Sequence, residues 1–370
     1  MYIILSSLQK LVTIISIIEK SLPAKEAKPI SINMTSNAED EKQEGPPVTS
    51  GYWFREEVTE DWAIQMRLKN LGFKKQSDFQ HVQIIETDQF GKTLVLDSKT
   101  QSAEADEHVY HETLVHPAML MHPNPKRVYI GGGGELATAR EVLRHSSVEL
   151  CVMVDIDEVV VDISKQELKQ WSEGVCDDSR LELVIGDAKG FLEKDTREYD
   201  VIIMDIADPI EAGPGIALYT QDFYQFLFSS GRLAKNGVFV TQSGPGSFIN
   251  IDECGSTIHR TLRSAFNNVT PFQADIPSFG SVWGFNVAFG GPAKEDYNEN
   301  VNEKLQQDQK SVLTVGIDNV NDKIAKRING NLKFYDGVTH LGLFGVPKDL
   351  RQRIVDEDRI MTLDNPVFMH

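Results

Sequence analysis

Short unbroken apolar runs alternate with helix-like stretches through the centre of the chain, from residue 127 to residue 289. Such runs are typical of strands buried on both faces, while apolar residues three or four positions apart are typical of helices. Strands that alternate with helices form a largely parallel sheet, because each helix crosses over between two strands. Strands are predicted at VYIG, ELCVMVD, LELVIGD, YDVIIMD and GVFVTQS, with helices between them and two closing strands at 269–276 and 282–289. The pattern therefore predicts an α/β domain with helices on both faces of the sheet.

A small β domain is predicted in front of this sheet. Apolar and polar residues alternate in short runs from Phe79 to Glu104, and Phe90-Gly91 gives a turn signal between two of the runs. This pattern is typical of β-hairpins. A helix with Pro117 inside it is predicted from Asp106 to about Met121. The predicted organisation is an extension or linker at 1–50, a β-hairpin domain at 51–105, the α/β domain at 106–291, a polar linker or insertion at 292–330, and a C-terminal tail without a clear period at 331–370.

Composition narrows the class of partner. The chain has 370 residues, 41% of them hydrophobic and 25% charged, which is typical of a globular protein in aqueous solution. Its net charge of −18 argues against nucleic acid or an anionic membrane as the main partner, because phosphate binding needs concentrated Lys and Arg. The three cysteines are widely spaced. This spacing predicts no disulfide framework and no zinc site, and it favours a reducing compartment such as the cytoplasm.

The first fifty residues combine a strongly apolar stretch with an acidic segment. Residues 2–18 are strongly apolar but contain Gln9 and Lys10. A bilayer span needs roughly 20 apolar residues, and a signal peptide usually begins with positive charge, which is missing here. We expect an upstream extension, with the functional protein starting near Met34; a targeting peptide is the alternative. Residues 35–50 are acidic and contain a Pro-Pro pair, which is typical of a solvated linker.

Acidic or polar side chains follow the predicted parallel strands, at the point where each strand ends. Because the carboxyl ends of parallel strands meet at one rim, and ligands of open α/β sheets bind there, the sequence predicts a binding site at that rim. The residues in question are the glycine run 132–134, Glu135, Asp155, Asp187, Asp205, Asp208 and Gln242.

The glycine run and the acids beside it restrict the kind of ligand. Glycines allow positive φ and close approach of a ligand to the backbone. Asp155 lies 21 residues after Gly134, where a carboxylate accepts both hydrogen bonds of a ribose diol; capping of the next helix is the alternative. Glu135 would repel a pyrophosphate or a ligand carboxylate by about 4 kcal/mol at 4 Å and an effective dielectric near 20. A nucleoside with a cationic tail is therefore favoured, with no phosphate cofactor.

Asp205 and Asp208 are three residues apart after the fourth apolar run, where they would hold a cation or act as a base. A turn with a helix cap is the alternative. Residues 210–218 contain two glycines and are predicted to close over the site as a mobile loop. Five aromatic or polar residues are candidates for the lining of the site: Tyr110, His111, Tyr219, Gln242 and Trp283. Core packing would explain each of these residues if it is taken alone.

These motifs together resemble the spermidine/spermine synthase family, the aminopropyltransferases. The resemblance rests on GGGELATARE, VDID, IGDA, MDIADP and the upstream block LDSKTQSAEADEHVYHE, and it extends from about Trp53 to Phe289. QSAEADE, DIADPIE, LYT, VTQSGPG and IPSF followed by WGF resemble the thermospermine synthase branch in particular. The resemblance implies a methyltransferase-like (Rossmann-like) fold behind a small β domain, and a homodimer or homotetramer.

The resemblance also implies a reaction and roles for individual residues. The aminopropyl group of decarboxylated S-adenosylmethionine, a co-substrate, would move to spermidine and give thermospermine and 5′-methylthioadenosine. No further cofactor and no metal are implied. Asp205 would be the proton acceptor, helped by Asp208 and Tyr110. The donor would be held by Gln80, Gln101, His111, Glu135, Asp155 and Asp187, and the acceptor by Tyr110, Asp208, Gln242 and Trp283.

Two departures and several alternatives stay open. Leu136 and Ala137 stand where the family usually has a glycine and a small residue, which predicts a shifted or stiffer turn. Asp155 replaces the Glu that is usual in spermidine synthases, as in the thermospermine branch. The alternatives are a spermine or spermidine synthase, an S-adenosylmethionine-dependent methyltransferase, which Glu135 disfavours, and a catalytically inactive polyamine-binding protein, which the pair of Asp205 and Asp208 disfavours.

Overall fold

The computed structural model describes residues 51–172, 174–211, 213, 215–293 and 301–369. The predictions made for residues 1–50, including the targeting segment and a start near Met34, lie outside the described residues. None of the helices within the described ranges has the length and apolar character that crossing a bilayer requires.

A five-stranded antiparallel sheet forms the N-terminal part of the described chain. The hairpins predicted from Phe79 onward are present, but the two strands before them have no clear alternation in the sequence. The second strand buries Met66 and leaves most of its other side chains exposed or half-exposed, so its pattern gives little signal. In chain order the strands are β1 (Trp53–Thr59), β2 (Trp62–Gln76), β3 (His81–Thr87), β4 (Gly91–Leu96) and β5 (Lys99–Ala103).

The second sheet has seven strands, in the order β11-β12-β10-β9-β6-β7-β8. The strands from β10 to β8 pair in parallel, and β12 and β11 pair antiparallel at one edge. This largely parallel sheet confirms the predicted α/β fold class. The strands are β6 (Arg127–Gly132), β7 (Leu150–Asp155), β8 (Leu181–Ile185), β9 (Tyr199–Asp205), β10 (Leu233–Pro245), β11 (Phe266–Ile276) and β12 (Ser281–Pro292).

Side chains of the inner strands alternate between two cores. In β9, Val201 and Ile203 belong to one apolar cluster, whereas Ile202 and Met204 belong to the other. All four are fully buried, because helices cover both faces of the sheet. The covering and connecting helices are α1 (Glu107–Met121), α2 (Ala137–Leu143), α3 (Glu158–Glu167), α4 (Ala188–Lys194), α5 (Gln221–Ser229) and α6 (Gly255–Arg263).

The expectation of a polar linker or insertion at 292–330 does not hold for residues 301–327. They form the helices α7 (Val301–Leu313) and α8 (Ile317–Arg327), and α7 packs against β11. The buried apolar residues are Leu305 and Val312, seven positions apart in α7, and Val320 in α8. These narrow apolar faces are enough to hold the two helices on a larger surface, although their composition is mostly polar.

The C-terminal tail, whose sequence has no clear period, packs into the α/β domain. It contains α9 (Gly337–Leu343) and α10 (Lys348–Asp356), followed by an irregular segment to Met369. The buried carboxylate of Glu112 in α1 accepts hydrogen bonds from the backbone N–H groups of residues 333–335, at 2.8–2.9 Å. Phe344 joins one core and Met361 the other. Both sheets and the tail belong to one compact unit.

Candidate active site

A cleft of about 1020 Å³ opens at the carboxyl ends of β6, β7 and β9, where the sequence places its acids. The β6–β9 register sets Gly132 beside Asp205, and β7 ends at Asp155. The structure therefore brings the predicted residues together. Ten of the eleven residues to which the resemblance assigns a role line the cleft: Gln80, Gln101, Tyr110, Glu135, Asp155, Asp187, Asp205, Asp208, Gln242 and Trp283.

The glycine turn after β6 is required by its neighbours. Gly132 and Gly133 have φ of 84° and 78°, which only glycine adopts without strain. A Cβ on Gly132 would lie 2.1 Å from the carbonyl oxygen of Asp205, and the N–H of Gly133 donates to the same oxygen at 2.9 Å. The absence of side chains thus lets the backbone of Asp205 pack directly against the turn.

Asp205 is held by a hydrogen bond to each carboxylate oxygen. The Tyr110 hydroxyl donates to Oδ1 at 2.7 Å, and the Thr138 hydroxyl donates to Oδ2 at 2.5 Å. Burial raises the pKa of Asp205 to about 6, and the nearby charge of Glu135 adds to the rise, while His111 and the two hydroxyls oppose it. A fixed carboxylate with a pKa close to neutrality is suited to accepting a proton. Thr138 was not among the predicted residues.

Asp208 lies in a second network centred on Gln242. The Gln242 amide donates from Nε2 to Asp208 Oδ1 at 3.0 Å and to the carbonyl of Ile206 at 2.8 Å. Its Oε1 accepts from Trp283 Nε1 at 3.1 Å. Burial raises the pKa of Asp208 to about 7, against the opposing hydrogen bond from Gln242. Gln242 therefore orients both an acid and an indole at one side of the cleft.

Asp155 does not cap the following helix, which was the alternative to ribose binding. The cap of α3 is Asp157, whose side chain accepts from the N–H of Val159, while Asp155 Oδ1 accepts from the N–H of Asp157 at 2.8 Å. Burial raises the pKa of Asp155 to about 7, and the charge of Glu135 contributes to the rise. Asp155 is left facing the cleft.

Asp157 connects the two sheets. Its Oδ2 accepts from Gln80 Nε2 at 3.0 Å and from the Ser77 hydroxyl at 2.6 Å, both from the β2–β3 connection. Gln80 is predicted to bind the donor substrate, and its hydrogen bond to Asp157 at the start of α3 orients its side chain. The VDID motif contains Asp157, but only the folded structure shows that it has this role.

Asp187 has two roles, since it lines the cleft and caps α4 by accepting from the N–H of Lys189 at 3.0 Å. Gln101 lines the cleft from β5. Of the predicted loop at 210–218, residues 212 and 214 lie outside the described residues, while Gly215 and Leu218 line the cleft. Closure of this loop stays a prediction.

His111 differs from its predicted position. It is fully buried and does not line the cleft; instead it lies behind Glu135, with Nε2 at 3.2 Å from Glu135 Oε1. Its Nδ1 faces Glu107 Oε2 at 2.9 Å, and Arg140 pairs with the same oxygen of Glu107 at 2.8 Å. His111 therefore reaches a ligand only through Glu135. The i, i+4 spacing of Glu107 and His111 on a helix is the sequence signal for this contact.

One atom each from His111, Glu135 and Asp205 lie within 4.8 Å of one another, close enough for a metal ion. Burial lowers the pKa of His111, but hydrogen bonds and charges from Glu107 and Glu135 outweigh it and raise the pKa to about 10. A doubly protonated imidazole has no lone pair to offer a metal. The two carboxylates suit a cationic nitrogen better.

Comparisons with known proteins decide the family. The model of the spermine/spermidine synthase domain matches residues 107–312, and that of the spermidine synthase tetramerisation domain matches residues 52–104. The chain is 36% identical to thermospermine synthase ACAULIS5 of Arabidopsis thaliana over 86% of this chain and 88% of the relative. It is 41% identical to a polyamine aminopropyltransferase of Sulfolobus acidocaldarius over 81% of this chain and 92% of the relative. The chain belongs to the spermidine/spermine synthase family.

Solved members of the spermidine/spermine synthase family share the fold. A spermidine synthase in complex with the transition-state analogue AdoDATO matches with a TM-score of 0.68 and 30% identity, over 82% of this chain and 95% of that one. The spermidine synthase of Thermotoga maritima matches with a TM-score of 0.66 and 28% identity over the same shares. The predicted membership in an aminopropyltransferase family and the methyltransferase-like fold are confirmed.

Leu136 stands where the resemblance leads us to expect a glycine, and the structure shows how the chain accommodates a leucine there. Leu136 adopts φ of 72°, the left-handed conformation that a glycine would favour, and precedes α2 as its N-cap residue. This conformation costs a non-glycine residue about 1–2 kcal/mol. The side chain is fully buried in a core, which stabilises by about 1.5–3 kcal/mol. The turn thus keeps the glycine-like conformation, and burial of the leucine offsets its strain.

Proposed function

We propose that this protein transfers the aminopropyl group of decarboxylated S-adenosylmethionine to spermidine, releasing thermospermine and 5′-methylthioadenosine. The observation that carries the proposal is Asp205, fixed between Tyr110 and Thr138 at the rim of a cleft lined by carboxylates. Such a cleft attracts cationic substrates, and both the sulfonium donor and the polyamine acceptor are cationic.

The donor is assigned to the side of the cleft formed by β6, β7 and β8. Asp155 would accept hydrogen bonds from the ribose hydroxyls, and Asp187 would accept from the adenine amino group. Glu135 would face the cationic aminopropyl tail, with Gln80 and Gln101 beside it. A donor that retained its carboxylate would meet Glu135 at the same place and be repelled. This arrangement favours an aminopropyl donor over the carboxylated donor of a methyltransferase.

The chemical step needs an unprotonated amine in line with the carbon bonded to sulfur. The amine nitrogen forms a bond to that carbon, the carbon–sulfur bond breaks with its electron pair going to sulfur, and the surplus proton goes to Asp205. Sulfonium is a good leaving group, so no covalent enzyme intermediate is required. The enzyme contributes proximity, and it supplies the carboxylate base.

The acceptor is assigned to the side formed by Tyr110, Asp208, Gln242 and Trp283. Asp208 would bind an ammonium of spermidine and hold the reacting amine toward the donor. Thermospermine and spermine differ in which end of spermidine is extended. The resemblance to ACAULIS5 and the branch motifs support thermospermine, whereas the two solved spermidine synthases support a second candidate, extension of a diamine.

Incubation of the purified protein with decarboxylated S-adenosylmethionine and either spermidine or putrescine tests the proposal. Chromatographic separation of thermospermine, spermine and spermidine identifies the acceptor and the end that is extended. Asp205→Asn is expected to abolish turnover while donor binding persists. Full activity of this variant would exclude Asp205 as the base, and spermine as the sole product would exclude thermospermine synthesis.

We also propose a homodimer or homotetramer that assembles through the N-terminal sheet. The match of residues 52–104 to a tetramerisation domain supports it, as do the exposed side chains of Trp53 in β1 and Leu71 in β2. Apolar side chains that are exposed on an edge of a sheet are suited to an interface. Light scattering on the wild type and on Leu71→Glu tests the assembly, and a monomeric wild type would exclude it.

A further inference from the structure

A chain of ionic contacts runs from the cleft into the core behind Glu135. The side chain of His111 lies between Glu135 and Glu107, and Arg140 links Glu107 to Glu141. The four residues behind Glu135 are buried or nearly so: His111 is fully inaccessible and the Arg140 side chain is 16% exposed. Buried charges need specific partners, so this alternation of acid and base is a built arrangement.

The surroundings of His111 fix its protonation. Nδ1 faces only acceptors, the backbone carbonyl of Glu107 at 2.6 Å and its carboxylate at 2.9 Å, and Nε2 faces the carboxylate of Glu135 at 3.2 Å. A neutral imidazole has one N–H and would set its remaining lone pair against a carboxylate. Both ring nitrogens therefore carry protons. The charged groups facing the ring are Glu107 from its own helix, Glu135 from the β6–α2 turn and Asp205 from the end of β9.

Arg140 makes this charge distribution possible. Its Nη2 donates to Glu107 Oε2 at 2.8 Å and its Nε to Glu141 Oε1 at 2.8 Å. Burial alone would raise the pKa of Glu107, but His111 and Arg140 hold it at about 2. Without Arg140, the ionised form of Glu107 would lose a buried partner, and its hold on the His111 proton would weaken.

We propose that Glu107 and Arg140 are positioning residues for the donor site: they keep His111 as an imidazolium that donates to Glu135, which fixes the Glu135 carboxylate toward the cationic tail of the donor. This inference rests on the proposed function, since it takes the aminopropyl tail as the ligand of Glu135. Neither residue lines the cleft. Their effect on the reaction passes through His111 and Glu135.

The first test is Glu107→Gln, which keeps the shape of the side chain but removes its charge. At pH 8.5, where the imidazole would lose its proton, we expect the donor KM to rise about tenfold relative to wild type, with kcat within about threefold. At pH 6, where His111 is protonated in both proteins, the donor KM of the variant is expected to approach the wild-type value. A purely structural role would change KM by the same factor at both pH values, and that outcome would overturn the proposal.

Arg144, four residues after Arg140, provides the matched control for a variant of Arg140. Arg144 also pairs with Glu141, at 3.0 Å, but it does not contact Glu107. We expect Arg140→Met to raise the donor KM and Arg144→Met to leave it unchanged, with Arg140→Lys intermediate because the cation is retained. Equal effects of the two methionine variants on the donor KM, or no effect of either, would contradict the proposal.

A spectroscopic test reads the protonation of His111 in the wild type and needs no turnover. In wild-type protein labelled with ¹⁵N-histidine, both ring nitrogens of His111 are expected to show imidazolium shifts from pH 6 to pH 8.5, with the resonance assigned by its absence in His111→Gln. A neutral ring at pH 7.5 would overturn the proposal. If the wild type makes no polyamine product, the proposed function fails, while this spectrum still tests the ionic chain by itself.

Discussion

Tyr110 donates its hydroxyl hydrogen bond to Oδ1 of Asp205 at 2.7 Å, and its ring packs edge-on against His111. The tyrosine is itself buried, so the hydrogen bond is shielded from water. A hydrogen bond donated to a carboxylate favours its ionised form and therefore lowers its pKa. Tyr110 thus offsets part of the rise that burial causes at Asp205.

Tyr110→Phe is expected to shift the acidic limb of the rate profile. Since Asp205 must be ionised to accept a proton, kcat should rise with pH through the pKa of about 6 in the wild type. Loss of the hydroxyl raises that pKa, so the limb moves to higher pH, and kcat at neutral pH falls by about tenfold. Measurement of kcat from pH 5 to pH 9 with both substrates saturating tests this.

Thr138→Val provides an independent check at the other carboxylate oxygen. It removes the second donor to Asp205 without touching the side of the cleft that holds Tyr110. The same upward movement of the acidic limb is expected. An unchanged limb in both variants would show that the titration seen in kcat belongs to another group.

Asp155→Asn is expected to stabilise the protein without ligand while it weakens donor binding. The pKa of Asp155 is raised to about 7 by burial, so the ionised form is disfavoured in the folded state. Asp155 therefore lowers the free energy of unfolding at pH values where the carboxyl group would be ionised in the unfolded chain. This loss is absent below the ordinary pKa of Asp and reaches its full size above about pH 7. Allowing for partial exposure to the cleft, the variant should gain on the order of 2 kcal/mol in the free energy of unfolding at pH 8 and little at pH 4.

Urea denaturation at both pH values measures this difference. Asp162→Asn, an exposed position on the same helix α3, serves as the control and is expected to change stability by less than about 0.5 kcal/mol at either pH. A gain for Asp155→Asn of equal size at pH 4 and pH 8 would rule out the ionised carboxylate as its cause.

The inner strands of the large sheet were predictable because a strand buried on both faces leaves an unbroken apolar run. The run YDVIIMD corresponds to β9 from Tyr199 to Asp205, residue for residue. The helices α7 and α8 escaped prediction because their buried faces are narrow. Leu305 and Val312 pack on a surface that the sequence does not reveal, so the polar residues around them dominate the pattern.

The carboxylates of the site were predictable for a similar reason, since Asp155 and Asp205 directly follow apolar runs and Glu135 follows the glycine turn at the end of another. Their supporting residues were not, because Thr138 and Arg140 act through contacts that only the folded chain creates. The family resemblance placed His111 at the donor, whereas the structure places it one side chain further back. Sequence thus locates the residues at strand ends better than the residues that orient them.

Leu136 allows backbone strain to be separated from side-chain burial. Leu136→Gly relieves strain of about 1–2 kcal/mol but removes a fully buried side chain, which costs about 2–5 kcal/mol. We therefore expect a net loss in the free energy of unfolding.

Leu136→Ala loses most of the same side chain and keeps the strain, so it should be less stable than the glycine variant by about 1–2 kcal/mol. Denaturant unfolding of the three proteins gives the order, and an alanine variant as stable as the glycine variant would show that φ of 72° is not strained here.

The C-terminal segment is expected to support the acceptor side of the site. The N–H of Met369 donates to the carbonyl oxygen of Pro209 at 2.8 Å, and Pro209 directly follows Asp208 in the chain. The Met369 side chain is buried. Met369→Pro removes this donor, so the turn that carries Asp208 loses a fixed contact. We expect the KM for spermidine to rise several-fold while the dissociation constant of the donor, measured by calorimetry, stays within about twofold.

Met369→Ala keeps the N–H and controls for the loss of the side chain. If both variants raise the spermidine KM equally, packing of the methionine rather than the hydrogen bond holds the turn.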